Sequence, residues 1–269
     1  MPIQVPHERY WDHTVYSCVV APKEAQPAYL AAIATGGGVV VARDWNESAQ
    51  SIQFDRLTAD CEHPLARDVF SVDFCPGNPW TLLAGGRRGG VWLGDLRQGR
   101  HTAWVHAVAT AGPVAHVKPV DEHKLLAAGP SDFLALYDVR YCAKDPGAAR
   151  RGADKTWPVV RFPQYRNAAH VTGLGLDIAP ADGLVAAASD GTAAGPPVAL
   201  FSLHSGRRLR CPALDALTAP PRRPVAALRF ARTRRDRDRN APAALYVALG
   251  SAVHKFAFGA GSTEPDEDY

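Results

Sequence analysis

Hydrophobic residues along this chain occur in short alternating runs separated by turns rich in glycine, proline and aspartate. Two stretches of sixteen residues show the pattern most clearly: LLAGGRRGGVWLGDLR from Leu82 to Arg97, and LLAAGPSDFLALYDVR from Leu125 to Arg140. Each has an aliphatic pair, small residues, a turn, and an alternating segment that ends in Asp-x-Arg. A period of two predicts β-strands, so each stretch is predicted to be a hairpin, and the recurrence predicts a repeating unit.

Five such units follow one another along the chain, near residues 14–45, 67–99, 101–141, 157–209 and 224–259. Serial β-meanders are typical of a β-propeller, in which each blade stacks on its neighbours and buries a core that it lacks alone. We therefore predict an all-β propeller over residues 1–261 and a disordered acidic tail at 262–269. Two alternatives remain for the ring. Either degenerate blades lie in residues 1–13 and 44–66 and complete a seven-bladed ring, or the ring is incomplete.

Composition narrows the classes of protein that fit. The chain has 269 residues, of which 46% are hydrophobic, and a net charge of only +3, which does not favour a nucleic-acid partner. The charged run from Arg232 to Arg239 is interpreted as a solvated loop, and so is the cluster of Arg207, Arg208 and Arg210.

Five scattered cysteines predict neither a disulfide framework nor a zinc site. With no apolar leader or membrane span in the sequence, we expect a nuclear or cytoplasmic location and no membrane partner.

No sequence motif of a catalytic, metal-binding or phosphate-binding site is found in the chain. The triple glycine at 36–38 is followed by the β-branched run Val39 to Val41, which favours a hairpin turn over a phosphate loop. A hydrolase or lyase site in the central channel would need clustered His, Asp or Glu on the inner strands. These strands are predicted to be rich in Ala, Val and Leu, so we predict no catalytic residue, no metal and no cofactor.

The two hairpins resemble the WD repeat, which ends its third strand with an aromatic residue followed by Asp. Tyr137 and Asp138 satisfy this pattern, whereas Gly94 and Asp95 satisfy half of it. With the added Arg, the sixteen-residue pattern is similar to the box of substrate receptors of the cullin-four RING ubiquitin ligase, which bind its damaged-DNA-binding adaptor. The order of features over residues 65–259 is most similar to the subfamily of cullin-four-associated factors numbered four.

This resemblance implies a non-catalytic receptor that bridges an unknown target protein to the ligase adaptor and is monomeric within that complex. The implied adaptor-binding residues are Asp95, Arg97, Tyr137, Asp138 and Arg140. Each Asp is expected to accept backbone hydrogen bonds, and the two arginines are expected to lie side by side on one rim. In the alternative interpretation, both arginines form rim salt bridges that serve only blade packing. The alternative function is a scaffold subunit of another nuclear or cytoplasmic assembly, in chromatin or RNA processing.

Overall fold

The computed structural model describes residues 14–26, 29–46, 51–58, 64–141, 156–191, 195–217, 224–232 and 242–258. Nineteen strands and one single-turn helix lie in this part of the chain, together with short 3-10 turns. The first ten strands are β1 Val15–Val20, β2 Tyr29–Thr35, β3 Gly38–Asn46, β4 Ser51–Arg56, β5 Val69–Cys75, β6 Asn78–Gly86, β7 Val91–Asp95, β8 Trp104–Val108, β9 His116–Pro119 and β10 Lys124–Gly129. The others are β11 Phe133–Asp138, β12 Val160–Arg161, β13 Leu176–Ala179, β14 Leu184–Ala188, β15 Val198–Ser202, β16 Arg208–Leu209, β17 Leu228–Ala231, β18 Ala244–Leu249 and β19 Ala252–Phe256, with helix α1 at Pro212–Asp215.

The strands form five antiparallel sheets arranged as a five-blade β-propeller, which confirms the predicted fold class. The first four sheets are the meanders β1–β4, β5–β8, β9–β12 and β13–β16, and the fifth is β17–β19. The first strand of each sheet is the innermost. Contacts run from β1 to β5, from β5 to β9, from β9 to β13 and from β13 to β17.

The two sequence hairpins are present, and their turns show why the chain reverses there. In the β10–β11 hairpin Leu126 lies opposite Leu136, and Ser131 and Asp132 adopt left-handed backbone angles with φ of 62° and 54°. Aspartate tolerates that region better than most residues. The β6–β7 hairpin uses Gly89 and Gly90 instead, at φ of 76° and 77°.

Apolar clusters fill four junctions between consecutive blades. Val41 and Leu82 share the cluster of blades one and two, and Val91 and Leu125 share that of blades two and three. Phe201 lies in the cluster of blades three and four, and Leu200 and Leu245 in that of blades four and five. Each blade thus buries its faces against its neighbours, as the repeat architecture requires.

Three strands lie elsewhere than the sequence units suggest. β8 pairs with β7 in the second sheet, and β12 pairs with β11 in the third, although each falls within the next sequence unit. β4, at Ser51–Arg56, is the fourth strand of the first sheet and not part of an extra blade. An outer strand pairs with the strand before it, and its own alternation does not reveal which neighbour it joins. Residues 1–13 and 262–269 lie outside the described ranges.

The prediction about the inner strands was wrong. The Ala-, Val- and Leu-rich segments form the second strands, such as LLAAG in β10 and LVAAA in β14. The innermost strands β5, β9, β13 and β17 each carry one charged residue: Asp73, Lys118, Asp177 and Arg229.

Candidate protein-binding rim

The third strand of the second blade ends in an ion pair between two residues of the same Asp-x-Arg segment. β7 ends at Asp95, whose Oδ1 accepts a hydrogen bond from the backbone N–H of Arg97 at 3.0 Å and caps the following 3-10 turn. The Arg97 guanidinium folds back onto the same carboxylate, with Nε to Oδ1 at 2.9 Å and Nη2 to Oδ2 at 2.6 Å. Two parallel charge-assisted bonds fix the guanidinium at the strand end. The side chain of Arg97 nevertheless remains 64% exposed.

The third blade repeats this geometry at the end of β11. Asp138 Oδ1 accepts from the Arg140 backbone N–H at 3.0 Å, and Arg140 Nη2 donates to Oδ2 at 2.6 Å. The hydrogen bonds from Arg140 lower the pKa of Asp138 to about 2, and Asp95 likewise has a lowered pKa, mainly because of its bond with Arg97. Both carboxylates are therefore charged at neutral pH. The expected hydrogen bonds from backbone amides to each Asp are present.

A groove lies between the second and third blades at what we call the lower edge, the edge at which β7 and β11 end. It has a volume of about 310 Å³. Its apolar wall consists of Leu83 and Leu93 from the second blade and Leu125 and Val139 from the third. Val139 stands between Asp138 and Arg140, so the groove lies directly beside the second pair. An apolar cleft beside a fixed guanidinium group is typical of a surface that receives a partner side chain.

The polar part of this groove comes from two turns. Asp121 accepts from the backbone N–H groups of His123 and Lys124 at 2.8 and 2.7 Å, and the Lys124 ammonium lies 3.3 Å from its carboxylate. Cys75 also lines the groove, and burial raises the pKa of its thiol to about 12, so it is a neutral group there. The rim of the groove therefore carries both signs of charge around an apolar wall.

Tyr137 occupies a different place from the other four site residues predicted from the sequence. Its side chain is 4% exposed and belongs to the apolar cluster between blades two and three, opposite Leu125 across the sheet. It stands directly before Asp138 on β11. Tyr137 therefore supports the strand end from within the core, while Arg97 and Arg140 present the surface.

Sequence reasoning missed a line of alternating charges on the innermost strands, here called the axial ladder: Asp73, Lys118, Asp177 and Arg229. Lys118 Nζ lies 3.3 Å from Asp73 Oδ2 and 4.0 Å from Asp177 Oδ1, and Arg229 Nε lies 3.9 Å from Asp177 Oδ2. Asp177 also accepts the backbone N–H of Phe230 at 2.7 Å. The ladder thus links four consecutive blades. The only signal for it in the sequence is one charged residue in each short apolar strand.

His116, two residues before Lys118 on β9, gives the fold a pH dependence. Burial and the nearby positive charge of Lys118 lower the pKa of His116 to about 4. Its value in the unfolded chain is about 6.5, so the unfolded state takes up the proton first as the pH falls. Stability contributed by neutral His116 is complete above pH 6.5 and is lost as the pH falls towards 4, by no more than about 3 kcal/mol.

As the pH falls from 6.5 to 4, the free energy of unfolding of His116→Gln should decrease less than that of the wild type. Urea unfolding at several pH values measures this. Asp73, whose pKa is raised by burial, contributes in the opposite direction but equally in both proteins. His254 is exposed, so His254→Gln controls for replacing a histidine at the surface and should unfold at the same urea concentration as the wild type at pH 7. Equal pH profiles for wild type and His116→Gln would contradict the assignment.

The part of the chain that the structure describes contains no group of three or more His, Cys, Asp or Glu side chains placed to hold a metal ion. No helix among them is long and apolar enough to cross a membrane. Of the charged run from Arg232 to Arg239, only Arg232 is described, and its guanidinium pairs with Asp182 at 2.9 Å.

One of two similar solved structures supports the fold assignment. A chain in the crystal structure of the mitotic checkpoint complex superposes with a TM-score of 0.56 at 14% identity, over 93% of this chain and 64% of that one. The computationally designed Ika4 protein gives a TM-score of 0.44 at 11% identity, over 71% of this chain and 91% of that one. No family model and no curated protein matches the sequence. At these identities the likeness concerns the fold alone.

Proposed function

We propose that this chain is a non-catalytic protein-interaction module whose lower edge binds the adaptor of a cullin-RING ubiquitin ligase, so that it acts as a substrate receptor. The propeller fold is compatible with such a module. The observation that carries the proposal is the pair of Asp-x-Arg ion pairs at equivalent strand ends of consecutive blades, with an apolar groove between the blades.

The geometry of each pair suits recognition by a partner. Arg97 and Arg140 each use Nε and Nη2 to hold their own aspartate, so the Nη1 edge points away from that carboxylate. A guanidinium that is already fixed loses little side-chain freedom when it binds. It presents further donors to a carboxylate or to backbone carbonyl groups of the partner. The ion pair therefore orients the arginine and leaves part of it available.

In the proposed mechanism the adaptor occupies the lower edge of blades two and three, and the target protein binds elsewhere on the propeller. Holding both at once raises the effective concentration of the target near the ligase. No group of this chain takes part in a chemical step. The alternative function is a scaffold subunit of another assembly. The presence of a similarly folded chain in the mitotic checkpoint complex is compatible with that role.

The test is affinity capture from cell extract with the tagged chain, followed by mass spectrometry. We expect the wild type to recover the cullin-four adaptor and the double variant R97A/R140A to lose at least nine-tenths of it. Arg87→Ala provides a matched control, because Arg87 also forms an exposed ion pair, with Asp68, but at the opposite ends of the strands.

Unchanged recovery of the adaptor with R97A/R140A would reject the proposed contact. Recovery of a chromatin or RNA-processing complex by the wild type, without the adaptor, would favour the scaffold function. All variants replace exposed arginines, so their thermal unfolding should stay close to that of the wild type.

A further inference from the structure

The fourth blade carries a second basic surface on the lower edge, independent of the proposed adaptor contact. We call it the arginine edge and define it by Arg207, Arg208 and Arg210. It begins just after the turn that follows β15 and continues through β16 to the start of α1. Arg207 and Arg210 are exposed, and no carboxylate of the described residues forms an ion pair with either. Arg208 pairs with Asp215, so the group keeps an excess of positive charge.

A recess adjoins these arginines. It has a volume of about 630 Å³ and is lined by Gln164, Arg208, Arg210, Pro212 and Asp215. Gln164 Oε1 accepts the backbone N–H of Arg208 at 3.4 Å, which ties the loop after β12 to β16. The recess is therefore polar, positively charged and open at the edge of the propeller. These properties fit an acidic peptide segment.

The last described residues bring the chain to the junction of the fourth and fifth blades. β19 ends at Phe256, and Phe258 packs in the apolar cluster that also contains Leu209 and Leu214 of the fourth blade. The Phe258 ring lies 6.3 Å from that of Phe230 on the last inner strand. Asp182, in the turn after β13, accepts the backbone N–H of Ala243 at 3.0 Å, so the lower edges of blades four and five adjoin. The chain thus leaves the fifth blade at its junction with the fourth blade, whose outer strand β16 carries Leu209 towards this junction and Arg208 on the other face.

The sequence beyond Phe258 has the complementary charge. Residues 264–268 read Glu-Pro-Asp-Glu-Asp, with four carboxylates in five positions. Five residues lie between Phe258 and Glu264, and the six steps from one Cα atom to the next can span about 20 Å when extended. A four-stranded sheet is about 15 Å across, so this length exceeds the width of one blade.

We propose that the acidic segment 264–268 docks in cis on the arginine edge and occupies the recess until a more strongly acidic partner displaces it. Each exposed ion pair contributes little, but tethering gives the segment an effective concentration in the millimolar range. Docking is therefore reversible and weakens with salt. The arginine edge then serves as a regulated site for acidic protein segments.

The test uses the 269-residue chain and a fluorescent peptide with the sequence of residues 259–269. We compare the wild type with a chain whose tail is neutralised by E264Q, D266N, E267Q and D268N, and we measure peptide binding by fluorescence anisotropy at low salt. The neutralised chain should bind the peptide about ten-fold more tightly than the wild type, because its own tail no longer competes. Adding R207Q and R210Q to the neutralised chain should abolish peptide binding.

The control adds Arg87→Gln to the neutralised chain, which removes one exposed arginine at the opposite edge and should leave peptide binding unchanged. In the wild-type background, R207Q/R210Q should also shift the NMR signals of the amides at 264–268. Equal affinity of wild-type and neutralised chains would overturn the proposal. So would peptide binding that survives R207Q/R210Q, or an absence of binding to the neutralised chain.

Discussion

Replacing Phe201 with alanine is expected to lower the free energy of unfolding by about 3–5 kcal/mol. Phe201 is fully buried in β15, and its ring meets that of Phe162 edge to face at a centroid distance of 5.8 Å. Phe162 follows β12, the outer strand of the third blade, so the two rings join consecutive blades. Truncation leaves a cavity that the rigid sheets cannot fill.

Urea unfolding followed by circular dichroism measures this loss of stability. Trp157→Ala is the control, since that side chain is 77% exposed and its removal should change stability by less than about 0.5 kcal/mol. If Phe201→Ala unfolds at the same urea concentration as the wild type, the rings do not hold the two blades together.

Replacing Asp177 with alanine should cost about 2–3 kcal/mol of unfolding free energy, because it removes a charged acceptor from a buried site. Asp177 is 6% exposed, accepts the backbone N–H of Phe230, and faces Lys118 and Arg229. Its loss leaves that N–H without its acceptor and removes the central negative charge of the axial ladder. Blades three, four and five meet at this point, so the effect should extend over all three.

A second substitution separates the hydrogen bond from the charge. Asp177→Asn keeps an acceptor oxygen for Phe230 and should lose about half as much stability as Asp177→Ala. Hydrogen exchange should show faster opening of β17 in the alanine variant than in the asparagine variant. Equal stability of Asp177→Ala and the wild type would show that the ladder does not hold the inner strands.

The sequence was informative where structure depends on neighbouring residues. Alternation and the Ser131 and Asp132 turn predicted the β10–β11 hairpin, and the spacing of two in Asp-x-Arg brings each arginine to its own aspartate. Such contacts join residues that are only a few positions apart in the sequence. They can be predicted without knowing the rest of the fold.

Features that depend on distant parts of the chain were missed or misplaced. Lys118 lies 45 residues from Asp73, and Phe230 lies 53 residues from Asp177, so no local pattern reveals the axial ladder. A single charge in a short strand instead suggests a solvent-facing position. The same reasoning explains β12, whose two residues carry no sign of the sheet that they join. The recess beside Arg208 also depends on Gln164, which comes from another part of the chain.

The two arginine surfaces differ in how they are held. Arg97 and Arg140 are fixed by aspartates two residues away, whereas Arg207 and Arg210 have no such partner among the described residues. A fixed guanidinium suits a contact with one defined partner. Free guanidinium groups suit exchange between acidic segments. The lower edge thus offers a rigid surface on blades two and three and an adaptable one on blade four.

The most direct measurement is a calorimetric titration of the purified cullin-four adaptor into the wild type, R97A, R140A and the double variant, with R87A as control. Each single variant at the rim should weaken binding about thirty-fold or more, equivalent to about 2 kcal/mol, while R87A binds like the wild type. Adaptor affinity that is equal in the wild type and the double variant would show that this rim does not form the contact.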